Sequence, residues 1–341
     1  MIKFNSFNEN LLDNNTYIIG YPSGEIIDIK EKDLSELIDS GVVYYERKFE
    51  KYFFIDSYRN HVIDKITNII YKRVKDTNKI ELGDNKYSVE QNVNYFLTNF
   101  CKLKENAFKI VNNTIDVFGD VKMDNLELSR IPYRFGDIYG DFDCSDNKLK
   151  NLINSPKLVD GDFICSRNNL YSLTSGPYVT RGYFCRNNFI DNLNGLSLSK
   201  SAVEFNASNN LITKINYNLL ENIKILNIDN NRLTELNIIW SAKNLQILHC
   251  ERNLIVKARV SGLSELKEFY CYDNKIEKLE GIEGMKELQV LSCRNNKLRN
   301  LYGIEELNNL KFLYCDSNNF SDSNRNWLIN FCKEKNIRYT I

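Results

Sequence analysis

Histidine is nearly missing from this chain: His61 and His249 are the only two in 341 residues. That leaves little material for imidazole metal sites or His-based catalysis. Net charge is missing as well, with 45 Lys and Arg against 45 Asp and Glu. A nucleic-acid or membrane-surface binder needs clustered excess cations, and neither half of the chain is a basic arm. No apolar run approaches the roughly 18 residues that a spanning helix requires. The opening MIKFNSFNENLLDNN lacks the apolar core and cleavage site of a secretory signal. There is no Gly-rich phosphate loop, no C-x-x-C, no H-E-x-x-H and no G-x-S-x-G. These absences point to a protein that is not an enzyme, carries no cofactor, and binds neither nucleic acid nor membrane.

Nine cysteines are present, an odd number with no export signal to put them in an oxidising compartment. The expectation is a reduced, intracellular setting.

Seven of the nine cysteines fall into a repeat. An asparagine recurs at Asn147, Asn168, Asn188, Asn210, Asn231, Asn253, Asn274, Asn296 and Asn318. Three residues before each Asn stands a small or aliphatic residue: Cys144, Cys165, Cys185, Ala207, Ile228, Cys250, Cys271, Cys293 and Cys315. Two residues after each Asn stands another apolar one, as in Leu149, Ile212 or Leu298. The unit reads L-x-x-L-x-C-x-x-N-x-L-x-x-L, clearest in Leu288, Leu291, Cys293, Asn296, Leu298 and Leu301. A degenerate copy precedes it at Val121, Met123, Leu126, Leu128 and Ile131, with Leu126 in the Asn place. The segment around the Cys alternates apolar and polar residues, which makes it a short strand with one buried face. Successive turns then stack into a parallel sheet. Each Asn is expected to satisfy buried backbone groups of its own and the adjacent turn. The column that holds Cys also accepts Ala207 and Ile228, so the cysteines are core residues and not metal ligands.

This unit resembles the leucine-rich repeat, and the later copies resemble the internalin-like 22-residue subclass. The early G-x-F-x-C-S-x-N-x-L copies resemble repeats of bacteriophage and low-GC bacterial proteins, which implies a phage-encoded chain in a host cytoplasm or on a virus particle. The expected fold is an α/β solenoid: a leucine-rich repeat with a parallel β-sheet on its concave face over residues 117–320. A small α+β domain (1–116) precedes it, and a helix–strand cap (321–341) closes it. Early copies, with Pro156 and Pro177 on the back, should have extended backs; later copies have helix-friendly ones such as GIEGMKELQVLSC.

Outside the repeat, TYIIGYPSGEIIDI reads as a hairpin turned at Pro22–Gly24 and EKDLSELIDSG as a short helix. VVYYERKFEKYFFI is strand-like. From Ser57, Val62, Ile63, Ile66, Ile69, Ile70 and Val74 recur at helical spacing, placing His61 on a helix. A further helix begins at Ser88 and buries Val93, Phe96, Leu97 and Phe100, and KIVNNTIDVFGDV is a hairpin. The C-terminal helix is expected to bury Trp327, Leu328, Phe331 and Cys332 ahead of a last strand. Cys101 and Cys332 sit at apolar helical positions and read as core, not as nucleophiles.

The strand positions that flank the buried pair face the concave side and are free to carry function. The early turns put Asp120, Asp124, Asp141, Asp143, Asp146 and Asp162 there; the later ones put aromatics and arginines. The candidate partner-binding residues are Phe184, Arg186, His249, Arg252, Tyr270, Tyr272, Arg294, Phe312 and Tyr314. Aromatic and Arg side chains are the usual anchors of protein interfaces, so the expected ligand is a protein. A structural component of a virus particle, or an effector whose residues 1–116 act while the repeats target, are the alternatives.

Overall fold

The computed structural model describes residues 16–20, 26–30, 43–46, 51–54, 61–64, 69–73, 80–82, 89–111, 114–238 and 242–341. The expected first hairpin is present: Thr16–Gly20 pairs antiparallel with Ile26–Lys30, Gly20 opposite Ile26. The strand-like segment after it is two strands, Val43–Glu46 and Lys51–Phe54, the second also parallel to Thr16–Gly20. The short helix expected at 31–41 lies outside the described residues.

The helix expected from Ser57 is not found among the described residues. His61–Asp64, Ile69–Arg73 and Ile80–Leu82 form a three-stranded antiparallel sheet, with His61 opposite Lys72. The apolar spacing suited a helix, but the residues that carry it are Val and Ile, whose branched Cβ favours strands.

Helix α1 (Val89–Asn99) forms and buries Val93, Phe96 and Leu97, with Cys101 buried just beyond it, whereas Phe100, expected with them, lies past the helix end and is only partly buried, stacked on Phe96 at 5.6 Å. Phe96 meets Tyr133 edge-on at 5.5 Å, so α1 covers the first turn of the solenoid. The hairpin Phe108–Val111 with Thr114–Val117 then leads the chain into the repeats. The buried core is continuous from Val93 in α1 to Ile337 near the C-terminus.

The architecture is a leucine-rich-repeat solenoid. Its concave sheet has eleven parallel strands in sequence order, from Val121–Lys122 to Arg338–Thr340. Each three-residue strand turns its central side chain inward and its flanking ones outward, as in Glu268–Phe269–Tyr270. The inward column Phe142, Phe163, Tyr183, Phe205, Leu226, Leu248, Phe269, Leu291 and Leu313 is fully buried, and so is the Cys column two residues later. All nine thiols are free and buried. Burial raises the thiol of each column cysteine well above its ordinary range, so the sulfurs are protonated and chemically quiet.

The asparagines tie the turns together. In each of the nine, Oδ1 accepts a backbone N–H of the preceding turn, such as Leu149 N to Asn168 at 2.9 Å and Leu233 N to Asn253 at 3.0 Å. Nδ2 donates to the carbonyl of the preceding turn's Cys-column residue and to two carbonyls of its own turn. Asn168, for example, reaches Cys144 O at 2.9 Å and Cys165 O at 3.1 Å. One amide therefore satisfies four buried backbone groups that water cannot reach. The residue before each Asn is left-handed, with φ between 49° and 58° at Asp146, Arg167, Asn187, Asn209, Asn230, Arg252, Asp273, Asn295 and Ser317. That kink turns the chain off the sheet, and Asn and Asp supply it at least cost.

The backs differ along the solenoid. In the early turns Thr114–Val117, Phe135–Ile138, Leu158–Val159, Tyr178–Val179 and Ser197–Leu198 pair into a second parallel sheet, the extended backs foreseen from the sequence. In the later turns Glu235–Asn237, Lys257–Arg259 and Lys278–Glu280 pair into a short parallel sheet of their own, and single 3₁₀ turns form at Tyr217–Leu220, Ile282–Gly284 and Ile304–Glu306. Gly281 starts one of them at φ 88°, where a Cβ would lie 2.5 Å from the Ser261 backbone.

Helix α2 (Asp322–Glu334) closes the other end, its N-terminus capped by Ser321 Oγ, which accepts from Asn324 N at 3.2 Å. It buries Leu328, Phe331 and Cys332. Trp327 does not join them: it is 38% exposed and stacks on Phe331 at 5.8 Å, because its position lies at the border of the buried stripe. Arg338–Thr340 then pairs with Phe312–Tyr314 and covers the edge of the last repeat.

Candidate functional site

The outward side chains of the concave strands stand in rows, one residue per turn, because the register advances without slippage from Glu204 to Thr340. Neighbours in a row are about 4.8 Å apart at the backbone, so long side chains on adjacent turns must touch. His249 and Tyr270 are such neighbours: their rings stack at 4.6 Å with a 4° tilt. Tyr270 donates its hydroxyl to Glu268 Oε2 at 2.8 Å. Tyr272 lies between two guanidinium groups, Arg252 at 5.7 Å and Arg294 at 5.2 Å from its ring centre. Phe312 and Tyr314 lie ring to ring at 6.4 Å, with Arg338 of the last strand over Phe312 at 5.8 Å.

The structure thus places seven of the nine candidates in one continuous area, the turns from His249 to Tyr314. Phe184 and Arg186 are apart from it. They also face the concave side, but three strands away, Phe184 lying over Gly182 where a Cβ would come within 2.6 Å of its ring. Three neighbours of the cluster, Asp229, Glu251 and Glu268, were not among the candidates. Their single spacing carries no motif, and only the register shows that Asp229 and Glu251 are adjacent in one row. Arg338 was missed because it belongs to the cap, whose strand joins the sheet.

The acidic early turns are largely compensated. Arg181 binds Asp141 at 2.7 Å and Asp162 twice at 2.7 Å, and Arg167 pairs with Asp146 in a two-pronged contact. The Arg167 guanidinium holds the Asp146 carboxyl below the usual range. Asp120 accepts Asp141 N at 2.9 Å and Asp143 accepts Ser145 N at 2.9 Å.

Around His249 the balance differs. Burial raises the Asp229 carboxyl, and the neighbouring Glu251 charge raises it further. Partial burial pulls His249 down, but its Nδ1 contact with Glu251 Oε1 at 3.1 Å, with the charges of Glu251, Asp229 and Glu268, outweighs that and raises it. Burial and the bond to Glu268 push the Tyr270 hydroxyl up to about 12. This arrangement can hold a cation and stack flat groups. The nearest sulfur, Cys250, lies inside the sheet as a raised, protonated thiol.

No family profile and no curated protein matches the sequence. Similar solved structures include a leucine-rich-repeat protein of Leptospira interrogans, at 17% identity over 66% of this chain and 72% of that one, TM-score 0.46. An internalin of Listeria monocytogenes, InlF, is similar at 12% identity over 67% and 82%, TM-score 0.41. The functional domain of InlJ from Listeria monocytogenes, which includes a cysteine ladder, is similar at 16% identity over 60% and 64%, TM-score 0.36. The identities are low, and the fold assignment rests on this chain's own Asn ladder and parallel sheet.

Proposed function

We propose that the chain is a non-catalytic protein-recognition module whose concave face, over the turns from Cys250 to Cys315, holds a protein partner. The observation that carries this reading is the continuous aromatic–arginine area on a rigid sheet: His249 on Tyr270, Tyr272 between Arg252 and Arg294, and Phe312 beside Tyr314. These side chains brace one another, so little conformational entropy is left to lose on binding. Aromatic and Arg groups on a preorganised surface supply most of the energy in typical protein interfaces.

The test is capture of partners from lysate by the wild type and by a variant with Tyr270, Tyr272 and Tyr314 all changed to Ala. The inward column is untouched, so the variant should keep its far-UV spectrum and nearly its melting temperature. A partner held through this face should bind the variant at least about 30-fold more weakly, the result of losing hot-spot contacts worth about 2 kcal/mol or more. Equal retention by both folded proteins would remove the face from consideration.

A further inference from the structure

The solenoid shows, within itself, how it treats carboxylates on adjacent turns. Asp141 and Asp162 are lateral neighbours, since Phe142 is in register with Phe163. One guanidinium, that of Arg181, bridges them with contacts of 2.7 Å to each. Asp229 and Glu251 have the same relation in another row, since Asn227 is in register with His249 and Asn230 N donates to Glu251 O at 2.9 Å. Among the described residues no Lys or Arg pairs with either carboxylate. Arg252, the nearest guanidinium, is turned to Asp273 at 3.8 Å and to the Tyr272 ring.

Glu251 is 7% exposed, and its Oε2 is buried without a hydrogen-bond partner among the described residues. Oε1 accepts from His249. A buried carboxylate oxygen left unpaired keeps its desolvation cost uncompensated, so the site is incomplete as it stands. The Ser208 hydroxyl beside Asp229 favours its charged form, but that hydroxyl donates to Asn206 Oδ1 at 2.8 Å. A planar fork with several donors, able to reach two carboxylates one strand apart, is the group that completes this geometry; an ammonium is a point charge and does not span it.

We infer that Asp229 and Glu251 form an arginine-binding pocket, which takes a guanidinium from the protein partner in the way that Asp141 and Asp162 take Arg181. This rests on the concave face being the recognition surface. His249 holds the place in the free protein: its ring is bonded to Glu251 and must release Oε1 when the arginine enters. Arginine and proton therefore compete. The groups that face His249 are Glu251 on its own turn, Asp229 on the turn before, and Glu268 and Tyr270 on the turn after, with Arg252 and Tyr272 at the rim.

The chain's two histidines make the test direct, since His249 can be followed by imidazole NMR with His61 as internal control. N-acetyl-arginine methylamide is titrated into the full chain, with N-acetyl-lysine methylamide as the comparison cation. The arginine probe should shift the His249 signals, leave those of His61, and lower the midpoint of the His249 titration. Binding of a single side chain falls in the millimolar range. The response should be lost in Glu251→Gln and weakened in Asp229→Asn, both of nearly unchanged shape and with melting temperatures measured alongside. An unmoved His249, an equal response to the lysine probe, or a full response in Glu251→Gln would each overturn the pocket. If capture depends on Tyr270, Tyr272 and Tyr314 but the arginine probe does nothing, the recognition face stands and the pocket falls. An arginine response without that dependence places the fault in the recognition reading.

Discussion

The early and late turns of the solenoid share one frame and fill it differently. From Phe142 to Phe205 the inward strand position is aromatic, and Phe142, Phe163, Tyr183 and Phe205 contact ring to ring at 5.0 to 6.1 Å. From Leu226 onward the same position is Leu except at Phe269, and the missing volume comes from the back, where Ile282, Met285 and Leu288, or Ile304, Leu307 and Leu310, point inward. Where the back forms a 3₁₀ turn, at Tyr217–Leu220, Ile282–Gly284 and Ile304–Glu306, the inward strand residue that follows is leucine: Leu226, Leu291 and Leu313. The inward apolar residues of a turn thus move in part from the front wall to the rear. The outer face follows a similar division, with carboxylates held by Arg167 and Arg181 early and aromatics held by Arg252, Arg294 and Arg338 late.

The largest effect should come from the aromatic column. Phe163→Ala removes a fully buried ring and is expected to cost about 3–5 kcal/mol in chemical denaturation. The comparison itself is sharpened by Phe163→Leu against Phe269→Leu. Phe163 loses ring contacts with Phe142 and Tyr183, each worth about 0.5–1.5 kcal/mol beyond burial, whereas Phe269 has no ring partner among the described residues. Equal costs at the two positions would show that the early rings act as bulk alone.

The ladder should not respect the division. Asn168→Ala and Asn253→Ala each strand one buried N–H, that of Leu149 or Leu233, and take one of two donors from three carbonyls, so both should lose about 1–3 kcal/mol, read as a lowered denaturation midpoint. A loss confined to one half would mean that the Asn column is not the common frame.

A smaller effect, of opposite sign, belongs to the early turns. Tyr183 is fully buried and its hydroxyl has no partner among the described residues, with Gly176 pressed so close that a Cβ there would lie 2.5 Å from the oxygen. Tyr183→Phe should raise the melting temperature, regaining up to about 1–3 kcal/mol of unpaid desolvation. Gly176→Ala should destabilise the wild type more than it destabilises Tyr183→Phe, since the two positions share one contact.

Much of this was legible because a solenoid writes its long-range contacts as a local period. The 20-to-22-residue recurrence of Asn and Cys fixed the strands, the turns and the inward columns, and Pro156 and Pro177 marked the extended backs. Two things were not legible. The Val- and Ile-rich stretch from His61 to Leu82 carries helical spacing, and only pairing between strands selects the sheet over it. The Asp229–Glu251 pair is invisible because its members are 22 residues apart and ordinary in type; adjacency exists only after the turns are stacked. The aromatic anchors, by contrast, stood out by residue type alone.

The smallest expected effect concerns the carboxylates that early turns neutralise with arginine and the late ones leave to His249. The contact with Glu251 and the charges of Asp229 and Glu268 raise His249 above its ordinary value near 6.5, against the downward pull of burial. A histidine bound more tightly to its proton in the folded state contributes stability that is fully present below its unfolded value and is lost as pH rises through the folded one. Unfolding free energy should therefore fall slightly from mildly acidic to mildly alkaline pH. Glu251→Gln should flatten that decline, because the partner that raises His249 is gone. The early turns provide the control: Arg181 keeps its charge throughout, so Asp141→Asn and Asp162→Asn should leave the slope as it is in the wild type.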